Sequence, residues 1–259
     1  GGVYRSTDGG ATWDDSINKG LVITQYEFID DHPSVDAVVI GGTQDNGTEQ
    51  YRNSPVFYHA DDGDGGFVNI NDGVPTNVIG SYYGPSPKLS TQSGKFGTWA
   101  PAWTGIVGSG LFYPPIVACG TDPNRVAIGT DRLNLDNSQG TGGWPTKVAL
   151  PGIAAAVSAI SYVDANLLYV GTASGQVYKV SGPTWTATLI SQAPLPGRFI
   201  WDVSPLPGSP NTLIVVMSGF GGGHVWRGTL PTTGAATWTS ISSTGAGQWP
   251  DIPLNALVI

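Results

Sequence analysis

Five stretches of the chain repeat one pattern, and that repetition limits what it can fold into. They are 31–43 (DHPSVDAVVIGGT), 71–81 (NDGVPTNVIGS), 121–130 (TDPNRVAIGT), 163–172 (VDANLLYVGT) and 206–219 (LPGSPNTLIVVMSG). Each is a polar turn followed by a β-rich apolar run that usually ends in Gly-Thr or Gly-Ser. The copies recur roughly every 40–50 residues, the period at which each repeat is one blade of a β-propeller. The expected fold is therefore all-β, a propeller of four-stranded antiparallel blades.

One blade can be read strand by strand. Residues 157–162 form the inner strand, 164–166 its turn and 167–171 the second strand; 176–180 is the third, and the last lies near 185–190. Alternation with period two is incomplete, as in strands sandwiched between neighbouring sheets. The termini match parts of this unit. Residues 1–5 (GGVYR) resemble 175–179 (GQVYK), a third strand, and 254–259 (LNALVI) reads as a first strand. Residues 1–259 thus read as a single propeller, incomplete at both ends. It is either a nearly closed ring of about six blades or a segment of a propeller with seven or more; unpaired edges at a mid-blade start favour the second.

Composition agrees. Thirty-eight Gly and twenty Pro, with 12% charged residues, suit short strands joined by tight turns. A formal charge of −8 and only eleven scattered basic residues argue against nucleic acid as a partner. No apolar, turn-free run is long enough to span a bilayer, so membrane insertion is not expected. Cys119 is alone in the sequence, which rules out an intrachain disulfide, and its apolar setting reads as a buried structural thiol.

Residues 6–13 read Ser6-Thr7-Asp8-Gly9-Gly10-Ala11-Thr12-Trp13 and match S-x-D-x-G-x-T-W at every defined position. The physics is local. Asp8 accepts hydrogen bonds from turn amides, Ser6 and Thr12 supply hydroxyls, Gly10 admits positive φ, and Trp13 is expected to pack between strands. Degenerate relatives follow at 93–99, 138–144, 181–185 and 233–238. On these motifs the chain resembles the Asp-box (BNR-repeat) propellers, which include sialidases, sortilin-type receptors and xyloglucanase-type glycosidases. It is most similar to uncharacterised secreted bacterial glycosyl-hydrolase-like proteins, through 41–48 (GGTQDNGT), 63–67 (GDGGF) and 218–226 (SGFGGGHVW). The resemblance implies a secreted, extracellular or periplasmic protein in which the Asp-box is a structural hairpin remote from any active centre.

Chemistry is expected on the opposite side from these hairpins. Second-to-third turns and blade-to-blade links share one face, where propellers commonly bind ligands. Gln44, Asp45 and Asn46 form one such turn, and 61–66 (DDGDGG) is the following link, so two acidic loops should share a face. Tyr82, Tyr83, Arg132, His224 and Trp249 fall in equivalent loops, and Trp103 is a further ring free of the Asp-box positions.

The 61–66 loop admits three readings. Asp61, Asp62 and Asp64 could ligate Ca²⁺, the one cofactor considered. Asp64 with Asp45 could be a glycosidase carboxylate pair. The third reading is a solvated turn whose Asp side chains cap backbone amides. A sialidase would need an arginine cluster and a Tyr activated by Glu, and nothing arranges the six arginines or the two glutamates, Glu27 and Glu49, in that way. The leading expectation is a non-catalytic module that binds glycan or protein on its loop face, or docks against other domains of a larger chain. The alternative is a fragment of a xyloglucanase-like glycoside hydrolase using Asp45 and Asp64.

Overall fold

The computed structural model describes residues 4–20, 24–232, 235–242, 251–257 and 259. Within them, consecutive strands form five four-stranded antiparallel sheets. The first contains β1 (Phe28–Asp31), β2 (Val38–Thr43), β3 (Gly47–Arg52) and β4 (Tyr58–Asp61). The second contains β5 (Val68–Ile70), β6 (Val78–Gly80), β7 (Lys88–Ser90) and β8 (Trp99–Pro101). The third contains β9 (Ile116–Cys119), β10 (Asp122–Gly129), β11 (Arg132–Asp136) and β12 (Thr146–Ala149). The fourth contains β13 (Val157–Asp164), β14 (Leu167–Thr172), β15 (Val177–Ser181) and β16 (Thr186–Leu189). The fifth contains β17 (Ile200–Leu206), β18 (Ser209–Met217), β19 (Val225–Thr229) and β20 (Thr237–Ser240). This is a β-propeller array, and each of the five repeats supplies a first-to-second turn and a second strand.

Second strands turn apolar where neighbouring sheets cover them: β10 opens with Asp122, Asn124 and Arg125 and β18 with Ser209 and Asn211, and both end in buried runs. Leu168, Tyr169 and Val170 are consecutive on β14 and all 0% exposed. The core is accordingly not one cluster but four, one between each pair of successive sheets. Ile40, Val68 and Val78 meet between the first and second, and Ile79, Ile128 and Trp144 between the second and third. Leu133, Val157 and Tyr178 fill the next interface, and Tyr169, Val215 and Trp238 the last.

Polar side chains on the innermost strands tie one sheet to the next. The Asp30 carboxylate accepts from the Ile70 amide at 2.7 Å and from Asn69 Nδ2 at 3.0 Å. Asn69 Oδ1 in turn accepts from the Ala118 amide at 3.1 Å, and Ser158 Oγ donates to the Ile200 carbonyl at 2.6 Å. Burial pushes the Asp30 carboxyl up to about 6, against the pull of the Ile70 amide. Burial likewise raises Asp202 on β17, while Ser204 and the Leu257 amide hold it down. Of residues 254–259, expected as a first strand, 254–257 have no strand pairing, and the Leu257 amide reaches Asp202 on β17.

At the other end, Arg5 and Asp14 bridge a hairpin around the Asp-box. Thr12 donates its amide and hydroxyl to Asp8 at 2.9 and 2.6 Å, Ser6 donates to Asp8 at 2.8 Å, and the Gly10 amide donates to Ser6 Oγ at 2.7 Å. Thr12 and Ser6 hold the Asp8 carboxyl down at about 2. Trp13 departs from expectation: it is 62% exposed, since no described strand lies against its ring. The outward face of the first sheet is also bare, and Tyr26, Ile29, Val39, Tyr51 and Phe57 line an open apolar groove there.

The degenerate boxes fall in third-to-fourth turns, with a shifted acceptor. Ser90 Oγ accepts from the Gln92 and Gly94 amides, each at 3.2 Å. Asp136 Oδ2 accepts from Ser138 and Gly140 at 2.8 and 2.7 Å. The same i+2 and i+4 amides are captured by an oxygen two or three residues before the serines that mark the motif.

Candidate functional site

The face opposite the third-to-fourth turns is built where blade-to-blade links bond to second-to-third turns. The Gly65 amide donates to the Thr43 carbonyl at 2.9 Å and the Gly66 amide to the Ser81 carbonyl at 3.2 Å. Gly42 has no room for a side chain, because a Cβ there would overlap the Gly66 carbonyl. This backbone contact brings 44–46 and 62–67 together, as expected from their positions in the blade.

Asp45 and Asp64 do meet, but carboxylate to backbone. The Asp45 amide donates to Asp64 Oδ1 at 3.2 Å, and Asp45 sits at φ 65. Gln44, Asp45 and Asn46 are exposed, and Asn46 Nδ2 returns to the Gln44 carbonyl at 3.1 Å. The other two carboxylates of the link diverge. Asp61 pairs with Lys88 Nζ at 2.6 Å and Asp62 with His59 Nε2 at 2.8 Å. With three carboxylates on three partners, the loop presents no convergent oxygen set for Ca²⁺, and no group able to hold a metal occurs among the described residues.

A bank of aromatic rings borders this turn pair. Tyr82 stands against Gly63, beneath Lys88 Nζ at 5.0 Å from its ring centre. The Tyr82 and Tyr83 centroids are 4.6 Å apart, Tyr83 stacks toward Phe112 at 6.3 Å, and Phe112 meets Tyr113 edge-on at 4.8 Å. Tyr83 and Phe112 are 52% and 54% exposed. The Gly84 amide donates to the Phe112 carbonyl at 2.7 Å, fixing the 81–87 turn to the 102–115 link.

Tyr113 lies innermost, its ring against Gly66. Its hydroxyl is enclosed and has no hydrogen-bond partner. Burial pushes the phenol up to about 12, and the charges of Asp64, Glu27 and Asp45 add to the shift. A phenol held so high is the reverse of an activated nucleophile. Glu27, Phe112 and Tyr113 carry no motif; the one available signal was an aromatic pair, Phe112-Tyr113, in a link of the ligand-bearing class.

The remaining expected residues lie elsewhere. Arg132 is paired with its neighbour Asp131 at 2.7 Å, and that hydrogen bond lowers the Asp131 carboxyl. Trp103 is 42% exposed, but Ala102 and Thr104 on either side pack against 140–143, a turn of the opposite face. His224 is 4% exposed, so it is not a surface ligand group. Its Nε2 meets Asp251 Oδ1 at 2.8 Å, and the same carboxylate takes the Gly221 amide at 2.9 Å. Arg198 donates to the carbonyls of Phe220 at 3.0 Å, Gly222 at 3.1 Å and Gly223. Trp249 lies outside the described residues.

No family model matches the chain, and no curated protein matches it. Among solved structures it is similar to an ancestral GH74 enzyme, with a TM-score of 0.66 and 15% identity, over 96% of this chain and 37% of that one. It is also similar to the WD40 β-propeller domain of Doa1, with a TM-score of 0.52 and 16% identity, over 70% and 57%. The chain therefore spans little more than a third of the GH74 enzyme and just over half of the Doa1 chain. At these identities the likeness is one of fold.

Proposed function

We propose that this chain is an extracellular Asp-box propeller module that binds a glycan on the loop face of its first three sheets without cleaving it. The observation that carries this reading is the exposed ledge of Tyr83 and Phe112 beside the Asp45–Asp64 turn pair. Aromatic faces stack on the apolar faces of sugar rings, while nearby carboxylates and turn carbonyls accept from hydroxyls. Binding without cleavage follows from Asp64, whose carboxylate is engaged by a backbone amide rather than opposed to a second acid across a cleft.

The test is a soluble-glycan binding screen, followed by titration of each hit against the Tyr83→Ala/Phe112→Ala double variant. Binding that weakens at least about tenfold, with no release of reducing ends, is expected. A hit indifferent to both substitutions would remove this ledge as the site.

Hydrolysis is the second reading, favoured by the adjacency of the two acidic loops and by the GH74 fold neighbour. Release of reducing ends that disappears in both Asp45→Asn and Asp64→Asn would establish it in place of the first.

A further inference from the structure

The outward face of the first sheet gathers three rings and one carboxylate. Tyr26, Tyr51 and Phe57 stand around an open groove of about 370 Å³, with Glu49 in its wall. The Tyr26 and Phe57 ring centres are 6.2 Å apart, those of Tyr51 and Phe57 5.6 Å, and the planes are tilted by 35° and 44°. Gly41 makes room for this arrangement, because a Cβ there would overlap the Tyr26 ring. Glu49 is the cross-strand partner of Gly41, and Tyr51 that of Val39. The carboxylate and the Tyr51 ring, two residues apart on β3, therefore share the face on which Tyr26 lies.

In the next three sheets the position of Glu49 is answered by a neighbour. Glu49 faces Gly41, the residue before Gly42-Thr43; Asn134 faces Ile128, before Gly129-Thr130; Tyr178 faces Val170, before Gly171-Thr172; and Lys88 faces Gly80, before Ser81. Each of the other three heads bonds at or within the link that leads into its sheet. Lys88 Nζ meets Asp61 at 2.6 Å, Asn134 Nδ2 donates to the Val107 carbonyl at 3.1 Å, and the Tyr178 hydroxyl donates to the Pro151 carbonyl at 3.1 Å. Glu49 takes part in no ion pair among the described residues. The cationic groups beside it are committed elsewhere: His59, opposite it on β4, meets Asp62 at 2.8 Å, and Arg52 donates to Gln50 Oε1 at 2.8 Å.

The chemistry of the face decides what can answer Glu49. On the fourth sheet the residues matching Val39, Gly41, Glu49 and Tyr51 are Leu168, Val170, Tyr178 and Val180, all buried against the third sheet. The first sheet has a glycine gap and a carboxylate in that set, and covering an unpaired carboxylate with apolar side chains is costly. A metal ion or a primary ammonium needs several oxygen acceptors to replace its water. Among the described residues, the groove's wall supplies one carboxylate. A quaternary ammonium has no N–H to satisfy, and it is attracted both by ring faces and by a nearby negative charge. The ring spacings bring Phe57 and each tyrosine within the reach, about 6 Å, at which a shared cation is held.

We propose that this groove is a cage for a small quaternary ammonium ion of the choline type, its methylated head held by Tyr26, Tyr51 and Phe57 and its charge answered by Glu49. The cage lies on a sheet face rather than the loop face, and it does not depend on the glycan-binding reading.

The probes are choline, its neutral carbon isostere neopentylcarbinol, and ammonium chloride, titrated calorimetrically into the chain at neutral pH and low salt. Choline is expected to bind at least about tenfold tighter than either of the others. Phe57→Leu and Tyr51→Leu, which keep the groove apolar, should each weaken choline at least about threefold and leave the isostere unchanged. Glu49→Gln should narrow the margin over the isostere to a few-fold. Circular dichroism of each variant separates loss of the site from loss of the fold.

Isostere binding as tight as that of choline would overturn the proposal, leaving an apolar groove with no preference for charge. Choline affinity unchanged in both ring variants would overturn it by placing the cation elsewhere. An absence of saturable choline binding up to about 50 mM would do the same, even if the chain co-sedimented with phosphatidylcholine vesicles.

Discussion

The first three sheets and the fifth use the same class of loop for opposite ends. In both, a blade-to-blade link meets a second-to-third turn rich in glycine. At the fifth sheet the polar groups close on one another: Arg198 on three carbonyls, Asp251 on His224 and the Gly221 amide. His224 Nδ1 and Arg198 Nε have no hydrogen-bond partner there, but the His224 ring is sealed at 4% exposure. Around the first three sheets, the exposed rings of Tyr83 and Phe112 stand beside acids, Asp45 and Asp64, that form no ion pair among the described residues. A recognition site is marked less by how many polar residues it contains than by which of them remain both unmatched and reachable.

Two carboxyls, Asp30 in the first sheet and Asp251 beside the fifth, respond to pH with opposite signs, which offers the strongest way to break the comparison. Asp30, beneath the acidic face, has its carboxyl raised to about 6 by burial. A raised folded pKa favours the native state fully below the unfolded value near 4, and that stability is lost as pH rises through about 6. The change amounts to about 3 kcal/mol. Asp251 runs the other way: the Gly221 amide and His224 lower it, so its contribution is present above the usual carboxylate value and lost on acidification. Denaturant midpoints from pH 4 to 7 should therefore fall for the wild type and fall less in Asp30→Asn, where Asp202 on β17, also raised by burial, still titrates. Protection of the Gly221 amide from hydrogen exchange should decline as pH drops below 4. A pH curve identical in wild type and Asp30→Asn would place the titration elsewhere.

Next in size is Arg198→Ala. It strands three carbonyls that now share a guanidinium and should lower stability by about 2 kcal/mol, read as a shift in urea midpoint. Glycan affinity should not change, because the knot holds the fold rather than the ligand. The mirror experiment is Tyr83→Ala/Phe112→Ala, where affinity falls about tenfold while stability moves within about 0.5 kcal/mol. If Arg198→Ala weakens binding as much as the ring variants do, the division between the two regions fails.

How far the sequence reveals each region follows from what kind of order it is. Blades were legible because a second strand must be apolar where it is covered on both faces, and 163–172 and 206–219 show that directly. The loop-face rule also sufficed to place 44–46 beside 62–67. What remained hidden was direction. Nothing in the local sequence says that Asp61 turns to Lys88, Asp62 to His59 and Asp64 to the Asp45 amide, since each partner is fixed by sheet geometry. Tyr113 was invisible for the same reason: its environment is assembled from three separate loops. His224, directly after the three glycines 221–223, looked like a surface ligand but is buried and paired with Asp251, 27 residues later.

The smallest effect expected is at Asp8, and it separates turn chemistry from site chemistry. Asp8 lies in a glycine-rich hairpin and Asp64 in a glycine-rich link between sheets, and both accept from a backbone amide. Asp8 uses both oxygens within its own turn, on the Thr12 amide and hydroxyl, in a motif whose relatives at 93–99 and 138–144 fall in third-to-fourth turns, opposite the ring ledge. Asp64 accepts from the amide of a different loop, that of Asp45, through Oδ1. Asp8→Asn keeps an acceptor for one of those bonds and loses the charge, so the turn should loosen rather than unfold. Faster exchange of the Thr12 amide, with glycan affinity and global stability unchanged, is the expected outcome. Asp64→Asn should do the reverse, leaving amide exchange in the 62–67 link nearly as it was while lowering glycan affinity. A fall in glycan affinity on Asp8→Asn would mean that the Asp-box side takes part in binding, and that the two faces are not the independent surfaces their loop classes imply.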